Sequence, residues 1–95
     1  MKSAYATVTL YGHDGWVRDT VSLPLELSIN IDEALVPVRI DSDEVSSAEL
    51  ERSFDATIQF DWDDGWDDLD LRGRVFALQY GQQVLGQARM LSGLQ

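Results

Sequence analysis

Residues 4–16 read AYATVTLYGHDGW and residues 54–66 read FDATIQFDWDDGW, and the two stretches align without a gap at a shift of fifty positions. Between 4–41 and 54–91, seven of the 38 aligned positions are identical, and apolar residues alternate in the same way through most of the others. An internal repeat constrains the architecture before any single element is assigned. The alignment therefore predicts that the chain contains two copies of one structural unit.

Alternation of apolar with other residues predicts β-strands in the first copy. We expect strands over about 4–11, about 16–30 and about 34–41, each with one apolar face. Pro24 cannot donate a ladder hydrogen bond, so the second strand should bend there or lie at an edge, and Pro37 favours an edge position for the third.

The second copy shows the same pattern in a less regular form. Alternation over 54–62 predicts its first strand, and Val75 and Ala77 are expected on the core face of the next. Gly73 interrupts that strand and predicts a bulge or a bend. Gly81 predicts a turn into the last strand.

Each copy also contains an Asp-Gly pair between two alternating segments, at Asp14-Gly15 and at Asp64-Gly65. This dipeptide is a strong hairpin signal, because a type I′ turn requires positive φ at both of its central residues. We therefore expect a hairpin at each site, with Trp16 and Trp66 close to the turns.

The two copies are expected to be joined by a short helix within residues 42–53, because Ser46 and Glu49 have the spacing of a capping box. Each copy then forms a three-stranded antiparallel meander, which cannot stand alone in water with one apolar face exposed. We predict one all-β domain over residues 1–95, mainly antiparallel, in which two repeated meanders close into a six-stranded barrel or sandwich.

Composition excludes several classes of function. The absence of cysteine removes disulfides, thiolate metal sites and cysteine nucleophiles, and the longest apolar stretches are too short to cross a membrane. His13 is the only histidine and is expected to be a solvated turn residue. With no nucleophile motif and no secretory leader, we expect a cytoplasmic protein that is not an enzyme and holds no cofactor or metal.

Charge is the strongest compositional signal. The chain has 17 acidic and 7 basic residues and a formal net charge of −10. Twelve of the acidic residues fall in 41–70 and none in 71–95. Such a surface should repel nucleic acid and anionic membranes and attract basic proteins or cations. The alternative is that the charge serves only solubility.

The densest acidic stretch, the predicted 61–70 hairpin, carries six carboxylates and two tryptophans. An indole ring beside carboxylates suits an Arg or Lys side chain, through cation–π attraction combined with charge pairing. The alternative is that the rings of Trp16 and Trp66 cap the ends of the barrel. The predicted partner-binding residues are Asp61, Asp63, Asp64, Trp66, Asp67, Asp68 and Trp16.

Three functions follow as hypotheses. The first is a small non-enzymatic interaction module that binds a basic surface on a partner protein through the 61–70 hairpin. The second is a module that binds calcium or a small ligand, although the spacing around Gly65 does not fit an EF-hand. The third is a homo-oligomeric structural protein, for example a dimer that pairs through edge strands 34–41 or 83–91.

Overall fold

The computed structural model describes residues 2–12, 20–60 and 71–92. These residues form eight β-strands and no helix, so none of them belongs to a helix that could cross a membrane. The strands are β1 (Lys2–Leu10), β2 (Thr20–Ser22), β3 (Leu25–Ile31), β4 (Ala34–Asp41), β5 (Ser47–Glu49), β6 (Ser53–Phe60), β7 (Val75–Tyr80) and β8 (Gln83–Met90).

Six strands close into a barrel in the order β1-β6-β4-β3-β7-β8, and every pairing is antiparallel. The predicted all-β, six-stranded antiparallel architecture is confirmed as a barrel rather than a sandwich. Its interior is filled by the apolar positions of the alternating strands, whose removal from water is the main force that favours folding. The largest fully buried side chains are Leu10, Ile29, Ile31, Ile40, Ile58, Leu71, Leu78, Met90, Val8 and Val38.

The predicted connecting helix is wrong. Residues 47–49 instead form β5, which pairs with β2 to make a separate two-stranded sheet. In β5 only Ala48 is buried, where it lies opposite buried Val21, so the segment follows the period of a strand. The side chain of Glu49 binds Arg52 at 2.9 Å, and the burial of Ala48 against Val21 outweighs the local preference for a helix cap.

The two copies also do not form separate meanders. β1 pairs with β6 and β8, and thus with no strand of its own copy. β3, β4 and β6 are successive neighbours with β1 beside β6, which is a Greek-key order. An Asp-Gly pair indicates only a local preference for a turn. The strands expected to pair across Asp14-Gly15 and Asp64-Gly65 instead pair elsewhere, because this order buries the apolar faces of both copies in one interior.

The proline predictions have different outcomes. The predicted strand over 16–30 does break at Pro24, where the Leu23-Pro24 peptide bond is cis. The edge position expected from Pro37 is wrong, since β4 pairs with both β3 and β6. Pro37 is tolerated because the described ladder between β4 and β6 begins at the next residue, where Val38 lies opposite Phe60.

The prediction that Val75 and Ala77 lie on the core face of β7 is also wrong. Val75 is 53% exposed, whereas Phe76 and Leu78 are buried. The predicted bend at Gly73 is confirmed and explains the change: Gly73 has a φ of 80° and lies in a turn closed by a hydrogen bond from Arg74 N to Leu71 O. A shift of one residue before a strand exchanges its two faces.

β8 contains an irregularity in its ladder with β7. Leu78 lies opposite Gly86 but Gln79 lies opposite Val84, so Leu85 is an extra residue in the strand. A Cβ atom added to Gly86 would lie 2.3 Å from the backbone oxygen of Thr9. Only glycine fits this close approach of the two strands. The turn predicted at Gly81, before this strand, is confirmed.

The strand order has a further regularity. Exchanging β1, β3 and β4 for β6, β7 and β8 leaves the same six neighbour pairs. Ala6 lies opposite Ala56 in the ladder between β1 and β6, and these residues are also partners in the fifty-residue alignment. A twofold exchange of the two predicted copies therefore leaves the strand order unchanged.

Candidate functional site

All seven predicted partner-binding residues lie outside the described part of the chain, as does His13. The described residues show where the two segments that contain them attach. Segment 13–19 follows β1 at one end of the barrel, whereas segment 61–70 follows β6 at the other, because β1 and β6 are antiparallel and Lys2 lies opposite Phe60. Leu10 is eight residues from Lys2, or about 26 Å along the strand.

The attachment of segment 13–19 is held by Glu51. The backbone N–H of Glu51 donates to Leu10 O at 2.7 Å, and its carboxylate accepts a hydrogen bond from Gly12 N, also at 2.7 Å. Tyr11 adds a hydrogen bond from its hydroxyl to Gln87 Oε1 at 2.9 Å. The chain that leads toward Trp16 is thus fixed as far as Gly12.

The attachment of segment 61–70 is flanked by buried apolar residues. Phe60 and Leu71 are 3% and 0% exposed. Beyond Leu71, Arg74 forms an ion pair with Asp32 at 2.8 Å and lies 4.8 Å from the centre of the Phe76 ring. The acidic segment therefore begins and ends on fixed points of the barrel.

The most distinctive surface among the described residues is a groove on the outer wall formed by β1 and β6. Its volume is about 250 Å³. Two apolar side chains in it are unusually accessible, since Tyr5 is 53% and Leu91 is 49% exposed. We call it the Tyr5 groove, and its lining residues are Tyr5, Ala6, Asp43, Glu44, Asp55, Ala56, Thr57 and Leu91.

The register of the strands determines which residues form the walls of the Tyr5 groove. Tyr5 lies opposite Thr57, and Thr7 lies opposite Asp55 in the same ladder. Leu91 extends β8 beside β1, because its backbone N–H donates to Tyr5 O at 2.8 Å. The N–H of Tyr5 in turn donates to Ser92 Oγ at 3.0 Å. The N–H and the C=O of Tyr5 are therefore both bonded to residues 91–92, which follow β8.

A second set of hydrogen bonds fixes the acidic rim of the Tyr5 groove. The hydroxyl of Ser42 donates to the backbone oxygen of Asp55 at 2.8 Å, and its oxygen accepts the N–H of Glu44 at 3.1 Å. These bonds hold the loop with Asp43 and Glu44 against β6. The Asp55 carboxylate accepts one bond from Thr7 Oγ1 at 3.1 Å and keeps capacity for more.

The chemistry available in the Tyr5 groove is that of binding. The carboxylates of Asp43, Glu44 and Asp55 are exposed and of one sign, which favours a cationic ligand. Within residues 2–12, 20–60 and 71–92, no three acidic or histidine side chains are close enough to hold a metal ion. The Tyr5 groove therefore offers no support for the calcium hypothesis.

Sequence reasoning did not identify the Tyr5 groove. Tyr5 occupies an outward position of the predicted first strand, and Asp43, Glu44 and Asp55 belong to the acidic stretch 41–70, so each signal was present separately. Only the pairing of β1 with β6 brings them together, and that pairing joins strands from different copies.

The homo-oligomer hypothesis expected pairing through an edge strand. β4 pairs with β3 and β6, and β8 pairs with β7 and β1, so neither strand is an edge of the barrel.

Comparison of the sequence with protein-family models and with curated proteins found no match. We therefore infer a function from the sequence and the structure alone.

Proposed function

We propose that this protein is a small acidic interaction module, without enzymatic activity, that binds a basic surface on a partner protein mainly through the acidic segment 61–70. The observation that carries the proposal is the concentration of charge, with twelve of 17 acidic residues within 41–70. Charge of one sign on one region steers oppositely charged partners and raises their rate of association. The same sign of charge disfavours nucleic acid and anionic membranes as partners.

The Tyr5 groove supports this proposal. Thr57 in the groove is three residues from Phe60, where segment 61–70 begins, or about 10 Å along β6. The exposed carboxylates of Asp43, Glu44 and Asp55 thus lie within reach of a partner that is bound to the segment. A basic surface of ordinary interface size, about 800 Å² on each partner, would cover both.

Trp16 takes a separate part in the proposal. Its segment follows β1, whose end lies at the opposite end of the barrel from Phe60, so we treat it as a separate contact. We assign the main contact to Asp61, Asp63, Asp64, Trp66, Asp67 and Asp68. We assign Trp16 a second contact, which a partner that spans the barrel wall would make. We further propose a cytoplasmic location, which the absence of cysteine fits.

The test compares two variants of equal net charge. One replaces Asp61, Asp63, Asp64, Asp67 and Asp68 with Asn. The control removes the five acidic residues of the first forty positions by Asp→Asn or Glu→Gln replacement. The control residues are Asp14, Asp19, Glu26, Asp32 and Glu33.

Each immobilised protein is exposed to native lysate at low and high salt, after circular dichroism has established that it is folded. We expect the wild type and the control to retain a basic protein at low salt, and the 61–70 variant to lose it. Equal loss by both variants would assign the binding to total charge. Equal retention by all three would overturn the proposal.

A further inference from the structure

We propose that the Tyr5 groove binds an arginine side chain of the basic partner. This inference rests on the proposed function, and it adds a second contact with a defined chemistry. The exposed apolar walls of the groove, the charge of its rim and the fixed positions of both support it. Thr57 in the groove lies about 10 Å along β6 from Phe60, the residue that precedes segment 61–70.

The walls of the Tyr5 groove suit the shape of an arginine. Tyr5 and Leu91 expose about half of their surfaces, and small buried residues, Ala6 and Ala56, lie beneath the space between them. The apolar stem of an arginine can cover such surface while its charged head stays at the rim. The exposed face of an aromatic ring also attracts a cation through its quadrupole.

The negative charge of the rim determines which class of ligand the Tyr5 groove favours. Asp43, Glu44 and Asp55 would repel an acidic segment, and a second copy of this chain carries a net charge of −10. An apolar ligand would leave the carboxylates without a partner. Arginine is favoured over lysine because its planar guanidinium can stack on Tyr5 and bind a carboxylate with two parallel hydrogen bonds.

The Tyr5 groove is also ordered before a ligand enters. The loop with Asp43 and Glu44 is bonded to β6 through Ser42, and the N–H and C=O of Tyr5 are both bonded to residues 91–92. Little conformational entropy is then lost on binding, which raises affinity for a given set of contacts. Because segment 61–70 and the groove belong to one chain, binding at one raises the effective concentration of the partner at the other.

The test is an NMR titration of the ¹⁵N-labelled full chain with three capped tripeptides, in which glycines flank arginine, lysine or citrulline. Citrulline keeps the shape of arginine without its charge. We expect the arginine peptide to shift the amide signals of Tyr5, Asp55 and Thr57 in a saturable way. Lysine should bind more weakly, and citrulline should cause no comparable shift.

A pair of tyrosine variants provides the control. Tyr5→Leu should weaken arginine binding about 2- to 5-fold, the range expected for an exposed cation–π contact of about 0.5–1 kcal/mol. Tyr80→Leu removes a tyrosine that is 71% exposed and is the last residue of β7, so it should leave the affinity unchanged. Both side chains are exposed, so both variants are expected to fold.

The outcomes separate the groove from the proposed function. Shifts confined to residues 61–70 would overturn the groove as an arginine site and still support the acidic segment. Equal losses in the Tyr5→Leu and Tyr80→Leu variants, or equal binding of citrulline, would also overturn it. The capture experiment tests the proposed function without reference to Tyr5.

Discussion

Replacing Gly86 with Ala should destabilise the barrel strongly. The added Cβ atom would lie 2.3 Å from the backbone oxygen of Thr9 and 3.0 Å from the Cα of Leu10. Both are backbone atoms of β1, so no change of rotamer can relieve the contact. β8 and β1 would have to separate by about 1 Å to restore normal contact distances. This separation would disturb the close packing of the interior.

The expected magnitude follows from this geometry. Overpacking a core costs about 1–3 kcal/mol, and a contact with backbone should fall at the upper end, near 3 kcal/mol. For a chain of this size, about 4–8 °C of melting temperature corresponds to 1 kcal/mol, so the midpoint should fall by roughly 12–24 °C. Without the close contact, Gly→Ala would instead stabilise by about 0.4–1 kcal/mol through the unfolded chain.

The assay is thermal and urea unfolding followed by circular dichroism. Val84→Ala on the same strand is the control: Val84 is 46% exposed, so its change should stay within about 0.5 kcal/mol. An unchanged urea m-value would show that Gly86→Ala alters stability rather than the unfolded state. A Gly86→Ala protein as stable as the wild type would refute the described approach of β8 to β1.

Four further substitutions test the fold. Glu33→Gly should stabilise by up to about 1 kcal/mol in urea unfolding, because Glu33 has a φ of 71°, whereas Gly81→Ala, at a φ of 61°, should destabilise by about 1 kcal/mol. Ala6→Leu overfills the interior at a fully buried position and should cost about 1–3 kcal/mol by the same measurement. Glu51→Ala should accelerate hydrogen exchange at the Gly12 amide and cost about 1 kcal/mol, since it removes the 2.7 Å bond; unchanged exchange would contradict that role.

Strand position was largely predictable from the sequence, because burial imposes a period of two. The third strand was expected over 34–41 and spans Ala34–Asp41, and the apolar positions of the first are buried as expected. The pattern failed at Val75, because a turn at Gly73 changes the phase before β7 begins. It also failed at Ser46, where a local helix signal was outweighed by the packing of Ala48.

Strand pairing was not predictable, because an alternating pattern does not specify its neighbours. The Asp-Gly pairs favoured pairing within each copy, whereas four of the six barrel ladders join strands of different copies. The Tyr5 groove was not predictable for the same reason, since Tyr5 and Asp55 are fifty positions apart in the sequence. The acidic segment could be found from charge alone because its residues are consecutive.

The strand order also affects when the barrel can form during synthesis. β1 leaves the ribosome before the other described strands, yet its two neighbours are β6 and β8, the second of which is the last of the described strands to be made. Until then the backbone groups of β1 that face β8 lack ladder partners, and the first copy cannot close an interior by itself. Pairings between distant parts of a chain slow folding. We therefore expect the barrel to close only after β8 has emerged.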